Sequence, residues 1–265
     1  MRHLPKKRFG QNFLHDASVL QQITEAINPS SDDLMVEIGP GKGAMTSYLL
    51  PHLKALHVVE LDRDLISLLE KQFRDKPLTI HSGDALQFKF DQLVVDQRKL
   101  RVVGNLPYNI STPLLFHLAQ YVEVIGDQHF MLQREVVERM VAEPGGRDYG
   151  RLSVMLQWRY DMTQLFIVPP QAFDPPPKVE SAIVRMMPIR HPLVCEKKNL
   201  EQVVTAAFSQ RRKVIRNSLG GLFTEQQLMD AGIDPQARPE TVSVDRYVRL
   251  AQRLAPSKAP SKLGQ

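Results

Sequence analysis

The sequence predicts an α/β protein: a mostly parallel sheet with helices on both faces, followed by a small all-α region. Three observations carry this. Short apolar runs at 34–38, 55–61, 78–81, 100–104 and 129–132 alternate with stretches of helical periodicity, the pattern of βαβ units. A glycine-rich segment, Gly39-Pro40-Gly41-Lys42-Gly43, follows the first run and opens a helical stretch, as at a ligand-binding strand–helix turn. From Asn199 onward there is no strand pattern, and Val204, Phe208, Ile215, Leu219 and Leu222 recur at helical spacing. The length of 265 residues suits one large or two modest domains, read here as 1–189 and 190–254, with 255–265 as a tail.

The N-terminal region is a basic arm, with Arg2, Lys6, Lys7 and Arg8 ahead of any acid. A helix over 17–27 follows, capped by Asp16, with Val19, Leu20, Ile23 and Ile27 on its apolar face. Asn28 and Pro29 end it. The first strand, 34–38, is interrupted by Glu37; a helix over 44–53 follows the glycine segment. The second strand, 55–61, carries Glu60 near its end, 21 residues after Gly39. Strand, glycine turn, helix, strand and acid in this order mark a dinucleotide- or nucleoside-binding unit, in which the carboxylate accepts from ribose hydroxyls. The glycines fall at the first, third and fifth places with none at the sixth, which disfavours a nicotinamide dinucleotide and suits a ligand without a pyrophosphate. A helix over 65–73 leads to the third strand, 78–81, and then to Gly83 and Asp84. Asp84 is placed to accept from an adenine amino group, although taken alone it reads more readily as a surface turn.

The fourth strand ends at Gly104, and Asn105, Leu106, Pro107 and Tyr108 follow. An amide, a proline-fixed turn and an aromatic ring at a strand end suit a grip on the exocyclic amine of a base, and by themselves suit an ordinary proline turn equally. Next come a helix over 112–121 with Pro113 in its first turn, a strand over 129–132 and a helix near 135–141. A helix from Arg151 to about Tyr160 leads to strands at 165–168 and 179–187. Between these lies a proline-rich loop, stiff through its fixed φ angles, that presents Phe173. In the C-terminal region Arg212 and Arg216 fan from one flank of a helix packed through Ile215, Arg211 lies near the other flank and Lys213 on the far side. Further helices cover 225–231 and 244–254. The tail repeats Ala-Pro-Ser-Lys twice and reads as disordered.

The net charge of +5 is unevenly placed: residues 190–265 carry +6 and residues 1–189 carry −1. Basic character at the two ends of the chain points to a polyanionic partner, or simply to solubility. One cysteine, Cys195, leaves no intrachain disulfide and no Cys-based zinc site. No apolar run reads as a signal peptide or a membrane span, and no hydrophobic seam marks an obligate dimer. A cytoplasmic monomer with no membrane partner is expected.

Taken together, residues 9–14, 37–43, 60–62, 83–85, 105–108, 173–178 and 208–219 resemble the ribosomal RNA adenine N6,N6-dimethyltransferases, nearest to the bacterial small-subunit (16S) branch. The resemblance covers nearly all of 3–254. It implies a class I, Rossmann-like S-adenosylmethionine-dependent methyltransferase sheet with a small helical C-terminal domain that holds RNA. It also implies roles for residues. Asn12 and Leu14 would close over the cofactor, Gly39 would let the backbone approach its methionine part, Glu60 would hold the ribose and Asp84 the adenine amine. Asn105 would touch both cofactor and substrate. Gly43 is given no function. The implied substrate is a pair of adjacent adenosines in a hairpin loop near the 3′ end of 16S rRNA, within the small ribosomal subunit or its precursor. A role in subunit assembly is a further expectation.

The chemistry follows from the substrate. The adenine N6 lone pair is delocalised into the ring, so acceptors for its two hydrogens favour a pyramidal, nucleophilic nitrogen. The Asn105 side-chain oxygen and the Leu106 carbonyl are the candidates, aimed by Pro107. Tyr108 would stack on the flipped base, worth roughly 1–3 kcal/mol, and Phe173 would pack its other face or edge. The donor methyl is already activated, so alignment dominates; no metal and no covalent enzyme intermediate are expected, and the by-product is S-adenosylhomocysteine. Arg134, Arg147, Arg151 and Lys178 near the site, with Arg211, Arg212, Lys213 and Arg216, are candidate phosphate contacts; each alone reads equally as a surface ion pair. Three rival readings share parts of this pattern: an amino-methyltransferase acting on DNA or another RNA, a nicotinamide dehydrogenase, and a ribosome-assembly factor whose docking matters more than its catalysis.

Overall fold

The computed structural model describes residues 12–210 and 212–254. The elements in chain order are β1 (Phe13–Leu14), α1 (Ala17–Ile27), β2 (Leu34–Ile38), α2 (Ala44–Leu49), β3 (Leu56–Glu60), α3 (Arg63–Gln72), β4 (Leu78–Ser82), β5 (Leu100–Asn105), α4 (Ser111–Leu118), β6 (Ile125–Gln133), α5 (Arg134–Val141), α6 (Arg151–Gln157), β7 (Tyr160–Val168), β8 (Phe173–Asp174), β9 (Ser181–Pro188), α7 (Lys197–Phe208), α8 (Ile215–Leu219), α9 (Glu225–Asp230) and α10 (Val244–Arg253). The chain forms two compact units. One runs to Val137 and resumes over Asp161–Pro188; the other takes Glu138–Tyr160 and continues from Ile189. The second unit thus includes a segment ahead of the expected 190–254 region.

The first unit is built on a seven-stranded sheet in the order β4-β3-β2-β5-β6-β9-β7. Pairs from β4 through β6 are parallel, and β6–β9 is antiparallel. The expected mostly parallel α/β sheet is therefore present. The chain leaves β2 toward β3 and β4, then returns to β5 on the other side. β2 and β5 flank the point where the winding reverses, and the crevice beyond their carboxyl ends is where such sheets bind ligands. Strands β2 and β5 are apolar throughout their middle because they are covered on both faces; Met35, Val36, Val102 and Val103 are fully buried.

Several elements depart from their expected bounds for identifiable reasons. Helix α2 stops at Leu49 and gives way to a tight turn over Leu50–His52, because Pro51 has no N–H to continue the ladder. Strand β5 continues through Gly104 to Asn105. A Cβ on Gly104 would lie 2.6 Å from the Ile38 carbonyl oxygen, so glycine here permits close strand approach and does not end the strand. Strand β6 begins at Ile125, four residues before its apolar run. The register slips between Leu100 and Arg101, and Arg101 then binds Asp127 at 2.8 Å and Asp33 at 2.5 Å, which pairs a polar segment that hydrophobicity alone does not mark. Strand β7 starts at Tyr160, where a helix and then a later strand were expected; α6 ends at Gln157.

A second, two-stranded sheet joins β1 and β8, with Phe13 opposite Asp174 and Leu14 opposite Phe173. Two-residue strands leave no periodic signal, so neither was legible in the sequence.

The second unit is helical from α7 onward among the described residues, as expected. Its core includes Leu200, Val203, Val204, Ile215, Leu219, Leu228, Tyr247 and Leu250, all fully buried. Tyr149 and Tyr247 donate their hydroxyls to the Val242 and Pro239 carbonyls at 2.9 and 2.7 Å. The expected continuous helical face through 204–222 is broken. The Ile215 and Arg216 N–H groups donate to the Ala237 and Pro235 carbonyls, so they cannot bond back to a preceding turn, and α8 restarts at Ile215. Arg212 and Lys213 consequently sit in the connection and not on a helix flank; only Arg216 is on α8. Arg211, the basic residues of the N-terminal arm and the 255–265 tail lie outside the described residues. No helix among the described residues is long and apolar enough to cross a membrane.

Candidate active site

A cavity of about 540 Å³ opens beyond the carboxyl ends of the parallel strands. Its wall draws on β1, the loop after β2, the end of β3, the turn after β4 and the turn after β5. Of the residues proposed from sequence, Asn12, Leu14, Gly39, Glu60, Asp84, Asn105, Leu106, Pro107 and Tyr108 all line it.

The glycine loop is shaped by positive φ. Gly39, Gly41 and Gly43 have φ of 65°, 58° and 79°, a region costly for other residues. A Cβ on Gly39 would meet nothing closer than the Asn105 carbonyl at 3.8 Å, so its missing side chain leaves room for a ligand. Gly43, which was given no function, caps α2, and a Cβ there would fall 2.6 Å from the Phe73 ring; its role is packing. Gly41 lies under Phe13, with 3.1 Å between a built Cβ and the ring, and Lys42 Nζ sits 4.3 Å from that ring's centroid.

Glu60 ends β3 and is 7% exposed. One of its oxygens accepts from the Leu61 and Asp62 N–H groups at 2.8 and 2.9 Å; the other faces the Gly41 N–H at 3.4 Å. Burial raises its pKa, opposed by these backbone donors. Asp84 accepts from the Leu86 N–H at 2.9 Å through one oxygen, which fixes the side chain in its turn.

Asn105 closes β5, and its Nδ2 donates to the Asn12 carbonyl at 3.1 Å. That bond ties the sheet to the arm and sets the amide plane. The Leu106 N–H donates to the Met131 carbonyl at 3.2 Å. Tyr108 is part-buried, its main-chain carbonyl accepts from Ser111 Oγ at 3.1 Å, and its hydroxyl shares a 2.6 Å hydrogen bond with Ser181.

Phe173 requires a correction. It is 2% exposed, packs in the core with Leu14, Leu20 and Val168, and does not line the cavity. The β1–β8 pairing turns its side chain inward, so in this structure it braces the arm and offers no face to a base; its strand neighbour Asp174 reaches the cavity wall instead.

The candidate phosphate contacts differ among themselves. Arg134 is paired with Glu180, Arg151 with Glu201, Arg216 with Glu225, and Arg147 lies 3.7 Å from Asp148. Lys178, Arg212 and Lys213 are exposed and make no ion pair among the described residues.

Glu37 is the residue sequence reasoning passed over. It lines the cavity, is 1% exposed, and accepts from Thr46 Oγ1 at 2.6 Å. An acid inside a five-residue apolar strand, directly before a glycine loop, was the available signal. Burial, reinforced by the neighbouring Glu60 charge, pushes its pKa up to about 7. An unfolded carboxyl here ionises near 4.5. Between those pH values the folded state keeps a proton that the unfolded state gives up, so stability is lost as pH rises from 4.5 through 7, by up to about 3 kcal/mol. His129 acts oppositely. Burial takes its pKa down to about 4, so its contribution is lost as pH falls from 6.5 toward 4. Glu37→Gln is expected to reduce the alkaline loss, leaving the part due to Glu60, whose pKa burial also raises, and to keep the acid limb in place. Thermal unfolding of the ligand-free protein at pH 5 and pH 8 measures this; an unchanged alkaline loss in the variant would contradict it.

Comparison with known proteins comes to the same place. Residues 2–256 match the family described as "Ribosomal RNA adenine dimethylase". "Ribosomal RNA small subunit methyltransferase A" of Herminiimonas arsenicoxydans is 66% identical over 255 residues, covering 96% of this chain and all of that one. The protein of the same name from Janthinobacterium sp. (strain Marseille) is 64% identical with the same coverage. Among solved structures, a dimethyladenosine transferase from Plasmodium falciparum superposes with a TM-score of 0.76 at 24% identity, covering 90% of this chain and 95% of that one. The 23S rRNA methyltransferase ErmE superposes at 0.73 and 24%, covering 92% and 99%. At that identity these two establish the fold, which is that of the class I methyltransferases. A glycine-rich cavity at the switch point of a parallel sheet, an Asn-Leu-Pro-Tyr turn on its rim and a match spanning almost the whole chain lead to one statement: the chain belongs to the ribosomal RNA adenine dimethylase family.

Proposed function

We propose that this protein is an S-adenosylmethionine-dependent methyltransferase that dimethylates the N6 amino groups of two adjacent adenosines in 16S rRNA, in a hairpin loop near the 3′ end, within the small ribosomal subunit or its precursor. The observation that carries the reading is the convergence of one cavity on Glu60, Asp84 and the Asn105–Tyr108 turn. The residues suit the cofactor. The open face of Gly39 leaves room for a backbone approach, the Glu60 carboxylate would accept from the ribose hydroxyls, and Asp84 would accept from the adenine amine. Asn12 and Leu14 would cover the group from the arm. S-adenosylmethionine, when bound, supplies a sulfonium-activated methyl group.

The protein's own work is then alignment. The Asn105 amide oxygen and the Leu106 carbonyl accept from the adenine N6 hydrogens and localise the lone pair; Pro107 sets their direction, and Tyr108 stacks on the base. The nitrogen proton leaves to solvent after transfer, with no metal and no covalent enzyme intermediate, and S-adenosylhomocysteine is released. Single-stranded loops allow a base to be splayed out in this way. The protein acts in the cytoplasm as a monomer, and docking on the particle gives it a place in small-subunit assembly. Labelled methyl donor offered with unmethylated small-subunit particles and with naked duplex DNA tests the substrate: label in the particle RNA supports the proposal, and label confined to DNA contradicts it.

Arg212, Lys213 and Lys178 are the strongest candidates for phosphate contact, since Arg134, Arg151 and Arg216 are already engaged by acids, and Arg212 and Lys213 form an adjacent pair. Replacing both Arg212 and Lys213 by Glu is expected to weaken RNA binding about tenfold and to reduce the slope of log affinity against log salt by about 1–2. Filter binding across a salt series measures both; unchanged affinity and slope would remove this surface from the account.

A further inference from the structure

The hydroxyl of Tyr108 meets a serine that none of the steps above uses. Ser181 opens β9, is fully buried, and pairs in register with Gln133 at the end of β6. The adjoining residue is held twice: the Arg134 N–H donates to the Glu180 carbonyl at 2.9 Å, and the Arg134 guanidinium binds the Glu180 carboxylate at 2.8 Å. The position of Ser181 is therefore set by the β6–β9 ladder and not by the turn that carries Tyr108.

The other end of the tyrosine is also held. Ser111 Oγ donates to its main-chain carbonyl, and the Ile110 N–H donates to the Pro107 carbonyl at 3.1 Å. With its backbone fixed in the turn ahead of α4 and its ring tip fixed on β9, the ring cannot sweep about its two side-chain torsions. Burial raises the pKa of the phenol, so it keeps its proton and the hydrogen bond persists at neutral pH.

We propose that Ser181 is a positioning residue for the target base: by holding the Tyr108 hydroxyl it fixes the plane on which adenine lies during methyl transfer, and it matters most for the second transfer. This rests on the reading of Tyr108 as the stacking platform. The asymmetry follows from the substrate. Unmodified N6 presents two hydrogens to the acceptors of the turn; after one transfer a single hydrogen remains. The base loses one aligning bond, and the stack must supply more of the alignment. Freeing the ring therefore slows the second step more than the first, and monomethylated product accumulates.

The test compares Ser181→Ala, Tyr108→Phe and the double variant in the full-length protein on unmethylated small-subunit particles. Readouts are the ratio of N6-methyladenosine to N6,N6-dimethyladenosine, kcat and KM, cofactor affinity by calorimetry, and the thermal midpoint. Each single variant is expected to slow the second transfer about tenfold and to raise the monomethyl fraction, with cofactor affinity within about twofold of wild type. The double variant should be no worse than either single one, since both remove the same bond. A wild-type product ratio in Ser181→Ala, or losses that multiply in the double variant, overturns the proposal. Should Ser181→Ala fail to fold, Tyr108→Phe decides alone, because it keeps the ring and the serine; a wild-type product ratio there overturns it. Full activity in Tyr108→Ala would instead sink the stacking reading itself.

Discussion

Asn105→Ala is expected to lower kcat by about 10³-fold while particle affinity changes less than about threefold. Asn105 is the last residue of β5, beside the winding reversal, and its Nδ2 is committed to the Asn12 carbonyl. That bond holds the amide in the cavity wall, and in the proposed reading its oxygen accepts from the target amine. Loss of one preorganised hydrogen bond to a group whose charge develops during reaction costs about 10²–10³ in rate. Here the same change also frees Asn12, which precedes β1 in the cavity wall, and this puts the loss at the upper end. Asn105→Asp separates the two parts. It keeps an acceptor oxygen but cannot donate to Asn12, so its loss in kcat should be smaller than that of the alanine variant. Single-turnover rates with saturating cofactor and particle measure both. An Asn105→Ala enzyme within tenfold of wild type would remove the amide from the chemistry.

Glu60→Ala should weaken cofactor binding about 10²-fold. Hydrogen bonds to a charged group are worth about 1.5–3 kcal/mol each, and in the proposed reading the carboxylate accepts from two ribose hydroxyls. It also organises the site before any ligand arrives, collecting the Leu61 and Asp62 N–H groups and facing that of Gly41. Removing it leaves those donors without their acceptor and loosens the glycine loop from the end of β3. Glu60→Gln keeps one acceptor oxygen and should fall between the two. Calorimetric titration with S-adenosylmethionine gives the constants directly; equal affinity in wild type and Glu60→Ala would refute the assignment.

The parts of the fold legible in the sequence are those with local causes. Helix α1 was readable to the residue because Asp16 caps it, accepting from the Val19 N–H at 3.0 Å, and Asn28 ends it in a left-handed conformation. Strand β2 was readable because burial on both faces makes it apolar apart from Glu37. The glycine and acid side of the cavity wall was legible for the same reason: a glycine turn, then an acid at the end of the next strand, is a sequence-local arrangement imposed by the sheet.

What escaped depends on contacts distant in sequence. The β1–β8 pairing joins residues about 160 positions apart, and it is this pairing that buries Phe173 and overturns its role as an aromatic wall. The break between α7 and α8 is set by carbonyls at Pro235 and Ala237, which no periodicity within 204–222 reveals. Ser181 lay unmarked inside the expected strand 179–187; only the fold, acting across a sequence separation of 73, gives it Tyr108 as a partner. Gly104 and Gly43 were legible as glycines but not as packing requirements, because the atoms a side chain would strike belong to Ile38 and Phe73.

The most direct test of the whole account is nucleoside mapping of the product. Small-subunit particles lacking the modification are incubated with the protein and S-adenosylmethionine, and the RNA is digested and sequenced by mass spectrometry. The account predicts N6,N6-dimethyladenosine at two adjacent positions in the loop near the 3′ end of 16S rRNA, and none when Asn105→Ala replaces the wild type over the same interval. Methyl groups found at a different base atom, or none in that loop while the cofactor is bound, would contradict it.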